Sequence, residues 1–549
     1  MSHPEAGRRP DPASLVTREE LVHRYFHPEG ELRPVKNGTS GHRGPTGAGF
    51  CERHVAAMTQ ALVDIRKERG TFGPAESDDP AANLGGRPPG PIVLGKDVRF
   101  TSDLAQITAA EVLAGNGIRV IVHRGGRATP TPVISHTILA ANAAGRNVEG
   151  GIITASHNPP DEAGYKSNGL DGGPNTRTGP IDERANAYLR DPSGIRRLPL
   201  DRAVREGLIV EEDLVEPYVR DLASVVDLDA LRGARFAATP LGGSAHGYYE
   251  SVNALHGTDI RVVLGDPDPR SANRTRDWDG KLRGDPSSAW VMKAVEGTRS
   301  ALGVPFVGAN DNDADRFGGE DASGVLNPNH VLCVLFDQLC RTRGFDVSRG
   351  VGRTIGTTHL LDRVAADHGR PVHEVDVGFK WYVKGLLAGR YVLAGEESAG
   401  LSVPRRDGRP WVTEKDGIVA VLLQMEAIAR TGKSIGELYA GLEAKHGPHR
   451  YERVDTAATA AKKARLQALS GARAAVESLL SGKRIAGRSV ERLVVGDGIK
   501  VVLDGGVWVL KRASGTEDII KDYREERGET LDTARRASEE IDGLLGLGG

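Results

Sequence analysis

Apolar runs rich in β-branched residues alternate with helical segments along most of the chain. Residues 91–94, 118–123 and 150–154 are predicted to be buried strands, and residues 104–114, between two of them, a helix. Strands that are apolar throughout and separated by helices are typical of parallel α/β units, whose sheets are covered on both faces. The pattern therefore predicts a first α/β unit.

The alternation repeats twice before the character of the chain changes. A second unit has predicted strands at 235–238, 259–264 and 305–309, and a third combines an apolar helix near 329–340 with strands at 351–355, 372–375 and 391–394. A helical tract at 457–481 then precedes short strands at 499–503 and 507–510 and a terminal helix from residue 531. This last segment is predicted to be a smaller α+β domain.

A chain of 549 residues is too long for one hydrophobic core, and its length suggests roughly three or four domains. We predict an α/β fold class: three α/β domains with mixed or parallel sheets and a smaller C-terminal α+β domain. The predicted segments are a flexible N-terminal arm at 1–35, α/β domains at 36–210, 211–323 and 324–446, and an α+β domain at 447–549. Residues 1–16 are polar and proline-rich and are predicted to be disordered, whereas Thr17 and Glu20 form a capping-box pattern that predicts a short helix at 17–26.

Composition narrows the class of protein. Hydrophobic residues make up 39% and charged residues 27%, and 72 basic against 74 acidic side chains give a formal charge of −2. This balance favours neither a nucleic-acid partner nor a membrane surface, so any anion site must be local. Three cysteines are too few for a disulfide framework, no run approaches the length of an apolar membrane span, and the first residues lack the apolar region typical of a signal peptide. We expect a cytoplasmic protein, either a monomer or a homodimer.

Ser156 lies in a small, polar, proline-terminated segment, 151–160, directly after a predicted strand. Ligand sites of open α/β sheets lie at the carboxyl ends of strands, so we expect Ser156 on an exposed strand-end loop. Thr154 and Asn158 stand where the nucleophile elbow of an esterase has glycines. Taken alone, the segment fits an ordinary exposed turn as well as a reactive serine.

Three aspartates alternate on one predicted loop, Asp311, Asp313 and Asp315, followed by Arg316. Carboxylates in this pattern can converge on a hard divalent cation, which would offset their repulsion. A calcium EF-hand is excluded, because its sixth position needs glycine and its twelfth needs glutamate, and this chain has Arg316 and Ala322 there. The alternative is a solvated acidic turn.

Two further polar loops, each also following an apolar run, contain glycine. In the first, Glu396 and Ser398 stand between glycines, and such acidic and hydroxyl groups suit sugar hydroxyls. The second loop contains Arg512, Ser514, Gly515 and Thr516. Its guanidinium and two hydroxyls can bind a phosphate monoester, and its glycine lets the backbone approach the phosphate closely. Ordinary turns remain the alternative for both.

Together, in this order and spacing, these motifs resemble the α-D-phosphohexomutase superfamily, from about residue 30 to the C-terminus. The segments 39–44 (Thr-Ser-Gly-His-Arg-Gly) and 277–281 (Asp-Trp-Asp-Gly-Lys) look like its glucose-phosphate branch. The resemblance implies four domains around a central cleft, the last a mobile lid, and transfer of a phosphoryl group between C1 and C6 of glucose phosphate. It also implies Mg²⁺ and a glucose 1,6-bisphosphate intermediate.

The resemblance also implies residue roles. Ser156 would carry the phosphoryl group and, with the three aspartates, hold Mg²⁺. Lys166 and Arg43 would act in catalysis, and the remaining implied residues would bind substrate: Arg316, Lys380, Glu396, Ser398, Arg512, Ser514, Gly515 and Thr516.

The sequence departs from common family patterns at Asn312, at Ala513 and at Gly378-Phe379-Lys380. The last departure leaves the general acid/base open; Lys166 is our prediction, and it requires a lysine pKa lowered by neighbouring cations. Alternatives are a phosphomannomutase or dual-specificity phosphohexomutase, a serine phosphatase or phosphotransferase, and a sugar-phosphate-binding protein without turnover.

Overall fold

The computed structural model describes residues 2–38, 40–515 and 518–548, and it contains four sheets in succession along the chain. The first has six strands in the order β1-β5-β4-β2-β3-β6. Its strands are β1 (His42–Pro45), β2 (Ile92–Lys96), β3 (Val120–His123), β4 (Glu149–Ile153), β5 (Glu162–Asn168) and β6 (Ile209–Glu212). Its helices are α1 (Arg18–Phe26), α2 (Glu52–Arg69), α3 (Pro80–Asn83), α4 (Phe100–Gly115), α5 (Thr131–Ala143), α6 (Gly179–Arg190) and α7 (Leu200–Arg205). β2, β3, β4 and β6 are parallel, and β5 runs antiparallel to both β4 and β1.

Burial on both faces of this sheet explains its continuous apolar strands. On β2, Ile92 and Leu94 join the cluster that contains residues of α2 and α4, whereas Val93 joins the opposite cluster with Ile134 of α5. Successive residues of a strand point to opposite faces, so each strand position here meets a helix.

The second sheet has the order β11-β10-β9-β7-β8. Its elements are α8 (Val215–Asp221), β7 (Arg235–Thr239), α9 (Tyr248–His256), β8 (Asp259–Val262), α10 (Ala289–Met292), α11 (Thr298–Leu302), β9 (Val307–Asn310), β10 (Phe317–Asp321) and β11 (Gly324–Val325). β7 is parallel to β8 and β9, and β9 and β10 form an antiparallel hairpin. The connection of that hairpin, residues 311–316, carries the three aspartates.

The third sheet has the order β13-β12-β14-β15, in which the first three strands are parallel and β15 is antiparallel to β14. Its elements are α12 (Pro328–Thr342), β12 (Gly350–Thr354), α13 (Leu360–Asp367), β13 (Val372–Val375), α14 (Val383–Leu387), β14 (Tyr391–Glu396), β15 (Gly400–Ser402), α15 (Gly417–Thr431) and α16 (Ile435–His446). One buried cluster includes Val93, Phe236 and Leu332, so the first three sheets share a core.

The fourth sheet is antiparallel, in the order β16-β21-β20-β19-β18-β17, and has a core of its own. Its elements are β16 (His449–Ala457), α17 (Ala460–Ser470), α18 (Arg473–Leu480), β17 (Arg484–Ile485), β18 (Arg488–Gly496), β19 (Gly498–Leu503), β20 (Val507–Ala513), β21 (Ile519–Arg527) and α19 (Asp532–Leu545). The predicted helical tract at 457–481 is two helices separated by Gly471 and Ala472. The predicted α/β class is confirmed.

The N-terminal segment differs from the flexible, disordered arm that the sequence predicts. The amide of His3 donates to the carbonyl of Trp278 (2.7 Å), and that of Gly7 donates to the carbonyl of Arg276 (2.7 Å). The helix predicted next is present as α1, where the Thr17 hydroxyl accepts from the Glu20 amide. Backbone contacts of this kind leave no trace in composition, which is why the prediction missed them. Among the described residues, no helix has an apolar stretch long enough to cross a membrane.

Candidate active site

Ser156 lies three residues beyond β4, at the carboxyl end of the first sheet. Its backbone has φ 51°, a conformation that costs about 1–2 kcal/mol for a residue other than glycine. The Ser156 carbonyl accepts from Arg99 Nη2 (2.8 Å) and Asn312 Nδ2 (2.7 Å), and its amide donates to Thr154 Oγ1 (2.8 Å). The Ser156 hydroxyl donates to Asp311 Oδ2 (2.9 Å). Strained backbone held by several contacts is common at functional sites.

The prediction that Ser156 is exposed is wrong. The residue is 1% exposed, because the hairpin connection of the second sheet covers it with Asp311 and Asn312. The covering loop lies more than 150 residues away in sequence, so the local pattern gave no sign of it. The serine hydroxyl is thereby kept from bulk water.

The three aspartates are buried together, and their carboxylate oxygens lie within 4.8 Å of one another. Burial, and then the charges of Asp313 and Asp315, raise the pKa of Asp311 well above its usual range. Asp313 Oδ1 and Asp315 Oδ1 are buried and have no hydrogen-bond partner among the described residues. Unpaired buried carboxylate oxygens are unfavourable, and a hard divalent cation is the ligand that offsets them. The donor set therefore fits a metal ion such as Mg²⁺.

Two lysines from different sheets approach this aspartate cluster. Lys166 Nζ, on β5, lies 2.7 Å from Asp313 Oδ2 and 3.2 Å from Asp315 Oδ2. Lys415 Nζ, just before α15, lies 3.2 Å from Asp315 Oδ2, and the Thr131 hydroxyl at the start of α5 donates to Asp313 Oδ2 (2.9 Å). Side chains from the first three sheets and their connections thus converge on one set of carboxylates.

The lowered pKa predicted for Lys166 is not found. Burial would lower the pKa of this ammonium, but Asp313 and Asp315 outweigh burial and raise it. Lys166 is therefore held protonated in this arrangement. The same contact lowers the pKa of Asp313, although burial opposes that shift.

Arg43 and Arg316 add guanidinium groups around the aspartates. Arg43, on β1, donates to Ser40 Oγ (3.0 Å); burial lowers its pKa, and Asp313 opposes the shift. Arg316 pairs with Asp285 (2.9 Å). Its Nε has no hydrogen-bond partner among the described residues.

The glycine-flanked loop of the third sheet begins at the end of β14. Glu396 Oε1 accepts from the amide of Gly378 (3.0 Å), and the Ser398 hydroxyl lies 3.3 Å from Glu396 Oε2. Burial raises the pKa of Glu396, against the nearby charge of Lys415. Lys380 follows Gly378 closely, so the two segments that carry Lys380 and Glu396 lie side by side.

The loop of the fourth sheet is less enclosed than the others. Arg512 Nε, near the end of β20, donates to Asp497 Oδ2 (2.7 Å), and Asp497 raises the pKa of Arg512 against the effect of burial. The Ser514 amide donates to the Ile519 carbonyl (3.0 Å), and the space beside the Gly515 Cα is open. Thr516 lies outside the described residues.

Sequence reasoning missed Lys415 and Arg99. Lys415 belongs to a Thr-Glu-Lys-Asp-Gly segment, 413–417, at the start of a strongly apolar helix, and Asp416 caps that helix. Arg99 follows the end of β2, the strand next to β4, so its position at a strand end was the signal available.

Comparisons with known proteins agree with this arrangement. Two profiles of the phosphoglucomutase/phosphomannomutase family match: alpha/beta/alpha domain I at residues 34–183 and domain III at residues 327–446. The solved open form of the Paramecium exocytosis-sensitive phosphoprotein pp63/parafusin, a phosphoglucomutase, shares the fold, with a TM-score of 0.70 at 22% identity over 94% of this chain and 96% of that one.

Curated relatives place the chain more closely. It is 37% identical over 539 residues to a phosphoglucomutase of Komagataeibacter xylinus, covering 95% of this chain and 93% of the relative. It is 27% identical over 442 residues to a phosphoglucomutase/phosphomannomutase of Thermococcus kodakarensis, covering 80% of this chain and 86% of the relative. The chain belongs to the α-D-phosphohexomutase superfamily, as the motifs predicted.

Proposed function

We propose that this chain is a phosphoglucomutase, an isomerase that interconverts glucose 1-phosphate and glucose 6-phosphate through phosphoserine 156 and glucose 1,6-bisphosphate. The observation that carries the proposal is the buried Ser156 hydroxyl, 2.9 Å from Asp311 in a cluster of three aspartates. The likeness to the Komagataeibacter phosphoglucomutase supports the same reaction.

In the proposed reaction, a hydroxyl of the bound sugar phosphate attacks the phosphorus on Ser156, and the bond between phosphorus and Ser156 Oγ breaks. Asp311, Asp313 and Asp315, with an oxygen of the phosphoserine, would hold Mg²⁺, which neutralises charge on the transferred group. Asp313 and Asp315 keep Lys166 charged, so Lys166 can supply a proton to the departing serine oxygen and then take up the proton that the attacking hydroxyl loses.

The remaining cleft residues have proposed roles in holding the substrate. Arg43 and Arg316 place positive charge beside the transferred phosphoryl group, and positioning of this kind supplies much of the rate in phosphoryl transfer. Glu396 and Ser398 are proposed to bind sugar hydroxyls. The proposed phosphate-binding residues are Lys380, Arg512, Ser514, Gly515 and Thr516.

We also infer that the four sheets correspond to four domains, at 36–210, 211–323, 324–446 and 447–549. The separate core of the fourth sheet supports its treatment as a distinct domain. The arrangement of the other three around one shared cluster supports a common cleft.

The direct test measures conversion of glucose 1-phosphate to glucose 6-phosphate with added Mg²⁺, alongside mannose 1-phosphate. We expect turnover of the glucose ester that requires Mg²⁺ and is stimulated by glucose 1,6-bisphosphate. Comparable turnover of the mannose ester would indicate a dual-specificity phosphohexomutase, a candidate that the Thermococcus relative supports. Release of inorganic phosphate would indicate a phosphatase, and binding without turnover a sugar-phosphate-binding protein.

A further inference from the structure

The N-terminal segment, residues 3–16, lies along one loop of the second sheet, residues 270–285; we call them the strap and the strapped loop. The two backbones exchange hydrogen bonds: the Gly7 amide donates to the Arg276 carbonyl (2.7 Å), and the Arg276 amide donates to the Arg8 carbonyl (2.9 Å). The His3 amide adds a bond to the Trp278 carbonyl (2.7 Å). These reciprocal bonds fix the register of the strap on the loop.

Side-chain contacts extend the attachment. Arg270 donates to three carbonyls of the strap, those of Pro12 (3.2 Å), Leu15 (3.2 Å) and Val16 (3.1 Å). A Cβ built on Gly280, at φ +79°, would lie 2.6 Å from the ring of His3. The strap therefore contacts the loop at both Arg270 and Gly280.

The other side of the strapped loop faces the candidate active site. The Gly284 amide donates to the carbonyl of His157, the residue after Ser156 (2.8 Å), and Asp285 pairs with Arg316 (2.9 Å). Arg274 is 1% exposed and its Nε donates to the Leu241 carbonyl (2.6 Å).

Arg274 points to a ligand. Its Nη1 and Nη2 are buried and have no hydrogen-bond partner among the described residues. A Cβ on Gly284 would meet both Arg274 Nη1 (2.4 Å) and Asn312 Oδ1 (3.2 Å), so the unpaired end of Arg274 lies beside the loop that bears the aspartates. A buried guanidinium without a partner is unfavourable, and an anionic group such as a phosphoryl oxygen would satisfy it.

We propose that the strap is a positioning element of the active site, holding the strapped loop where it presents Arg274 and Asp285 to the phosphoryl-transfer centre. The proposal rests on the proposed mutase function for its kinetic consequence. Its structural part, that the strap sets the conformation of residues 270–285, is independent of that function.

The first experiment deletes residues 2–9, which removes the bonds of His3, Gly7 and Arg8 and keeps the buried Pro10 and Leu15. Hydrogen exchange followed by mass spectrometry is compared between this variant and the full chain. We expect faster exchange in peptides covering 270–285, with unchanged exchange in peptides of the fourth sheet. Unchanged exchange in 270–285 would overturn the proposal, whether or not the protein is a mutase.

Kinetics on the same variant test positioning. We expect kcat/KM for glucose 1-phosphate to fall about 10- to 100-fold, the range expected when reacting groups are misplaced by about 1 Å. The fall should lie mainly in kcat, because the hydrogen bonds of the strap described above go to Arg270, Arg276 and Trp278, which are not part of the proposed sugar and phosphate loops. Faster exchange with unchanged kinetic constants would also overturn the positioning role. If the full-length protein were inactive, the proposed function would be wrong instead. The exchange result would still decide whether the strap sets the conformation of residues 270–285.

A matched pair of substitutions gives a second measurement if the deletion harms folding. Gly280 and Gly297 share φ +79°, so a side chain at either position adopts the same unfavourable φ. At Gly280 a Cβ meets His3, whereas at Gly297 nothing lies within 4 Å. We expect Gly280→Leu to reproduce the deletion, and Gly297→Leu to leave exchange in 270–285 and kcat/KM at the wild-type level; equal effects of the two variants on these readouts would contradict the proposal.

Discussion

The serine and aspartate loops differ from the Arg512 loop in how they are held. Ser156 is fixed through its amide, carbonyl and hydroxyl by residues of two sheets, inside a core that three sheets share. Arg512 is paired within the fourth sheet, which has a separate core. The groups proposed to do chemistry are therefore each held by several contacts, whereas the group proposed to hold the idle phosphate belongs to a sheet with a separate core, which we propose to be a mobile lid.

Ser156→Ala is the strongest test of the serine and aspartate loops. We expect mutase turnover to fall by roughly four orders of magnitude or more, the scale seen when a covalent nucleophile is removed. Circular dichroism should be unchanged, because the substitution removes one oxygen. Mass spectrometry should find phosphate on Ser156 of the wild type and none on the variant, with the exposed Ser193→Ala as control. Phosphate found only on other residues would contradict the assignment.

Asp313→Asn tests the aspartate cluster. We expect weaker Mg²⁺ binding by calorimetry and a turnover about 10²- to 10³-fold lower, as for other preorganised electrostatic groups. Chelation should abolish wild-type activity, and added Mg²⁺ should restore it. Asp337→Asn, a buried aspartate paired with Arg341 on α12, is the matched control. If Asp313→Asn kept wild-type activity in the presence of chelator, this cluster would not be the metal site.

Arg512→Ala tests the proposed phosphate-binding loop of the fourth sheet. Loss of a charge-assisted phosphate contact, worth about 1.5–3 kcal/mol, should raise KM for glucose 1-phosphate about 10- to 100-fold and increase release of glucose 1,6-bisphosphate. Phosphoserine 156 should be retained, because Arg512 lies on another sheet. Arg535→Ala, half-exposed and paired with Glu452, is the control. If KM and the release of glucose 1,6-bisphosphate were both unchanged, this loop would be an ordinary turn and not a phosphate-binding site.

The same contrast explains what the sequence could and could not predict. Strand-end loops carrying Ser156, the aspartates and Glu396 were predictable, since each directly follows an apolar run, and the family resemblance supplied Lys166. The burial of Ser156 and the charge state of Lys166 could not be predicted. Both depend on contacts with Asp311, Asp313 and Asp315, which belong to a different sheet. The strap was missed since its bonds are made by backbone groups, which every sequence has.

The last feature to test is the contact between the third and fourth sheets, which we call the joint. Lys500 of β19 lies at its centre. Its ammonium is fully buried, donates to the Ile355 carbonyl of the third sheet (2.6 Å), and lies 2.9 Å from His359 Nε2 and 4.2 Å from the Trp508 ring. Burial, with Arg353 adding to it and Glu374 opposing it, lowers the pKa of Lys500 to about 7. The other charged groups that face it are Glu525 and Arg492.

The sign of the pH dependence follows from this shift. When the fourth sheet is undocked or unfolded, Lys500 takes its ordinary pKa near 10.5 and binds a proton that the docked state releases above pH 7. Docking should therefore strengthen as pH rises from about 7 toward 10.5, by at most about 1.4 kcal/mol per pH unit. Lys500→Met, which keeps an apolar chain of similar length, should flatten this slope, whereas Lys483→Met, an exposed lysine of the same domain, should not. Denaturant unfolding between pH 7 and 9, followed by hydrogen exchange in peptides of β19, measures the slope. If the free energy of unfolding changed with pH by the same slope in wild type and Lys500→Met, docking of the fourth sheet would not be coupled to the protonation of Lys500. The separate core would then be the remaining evidence that the fourth sheet is a distinct part.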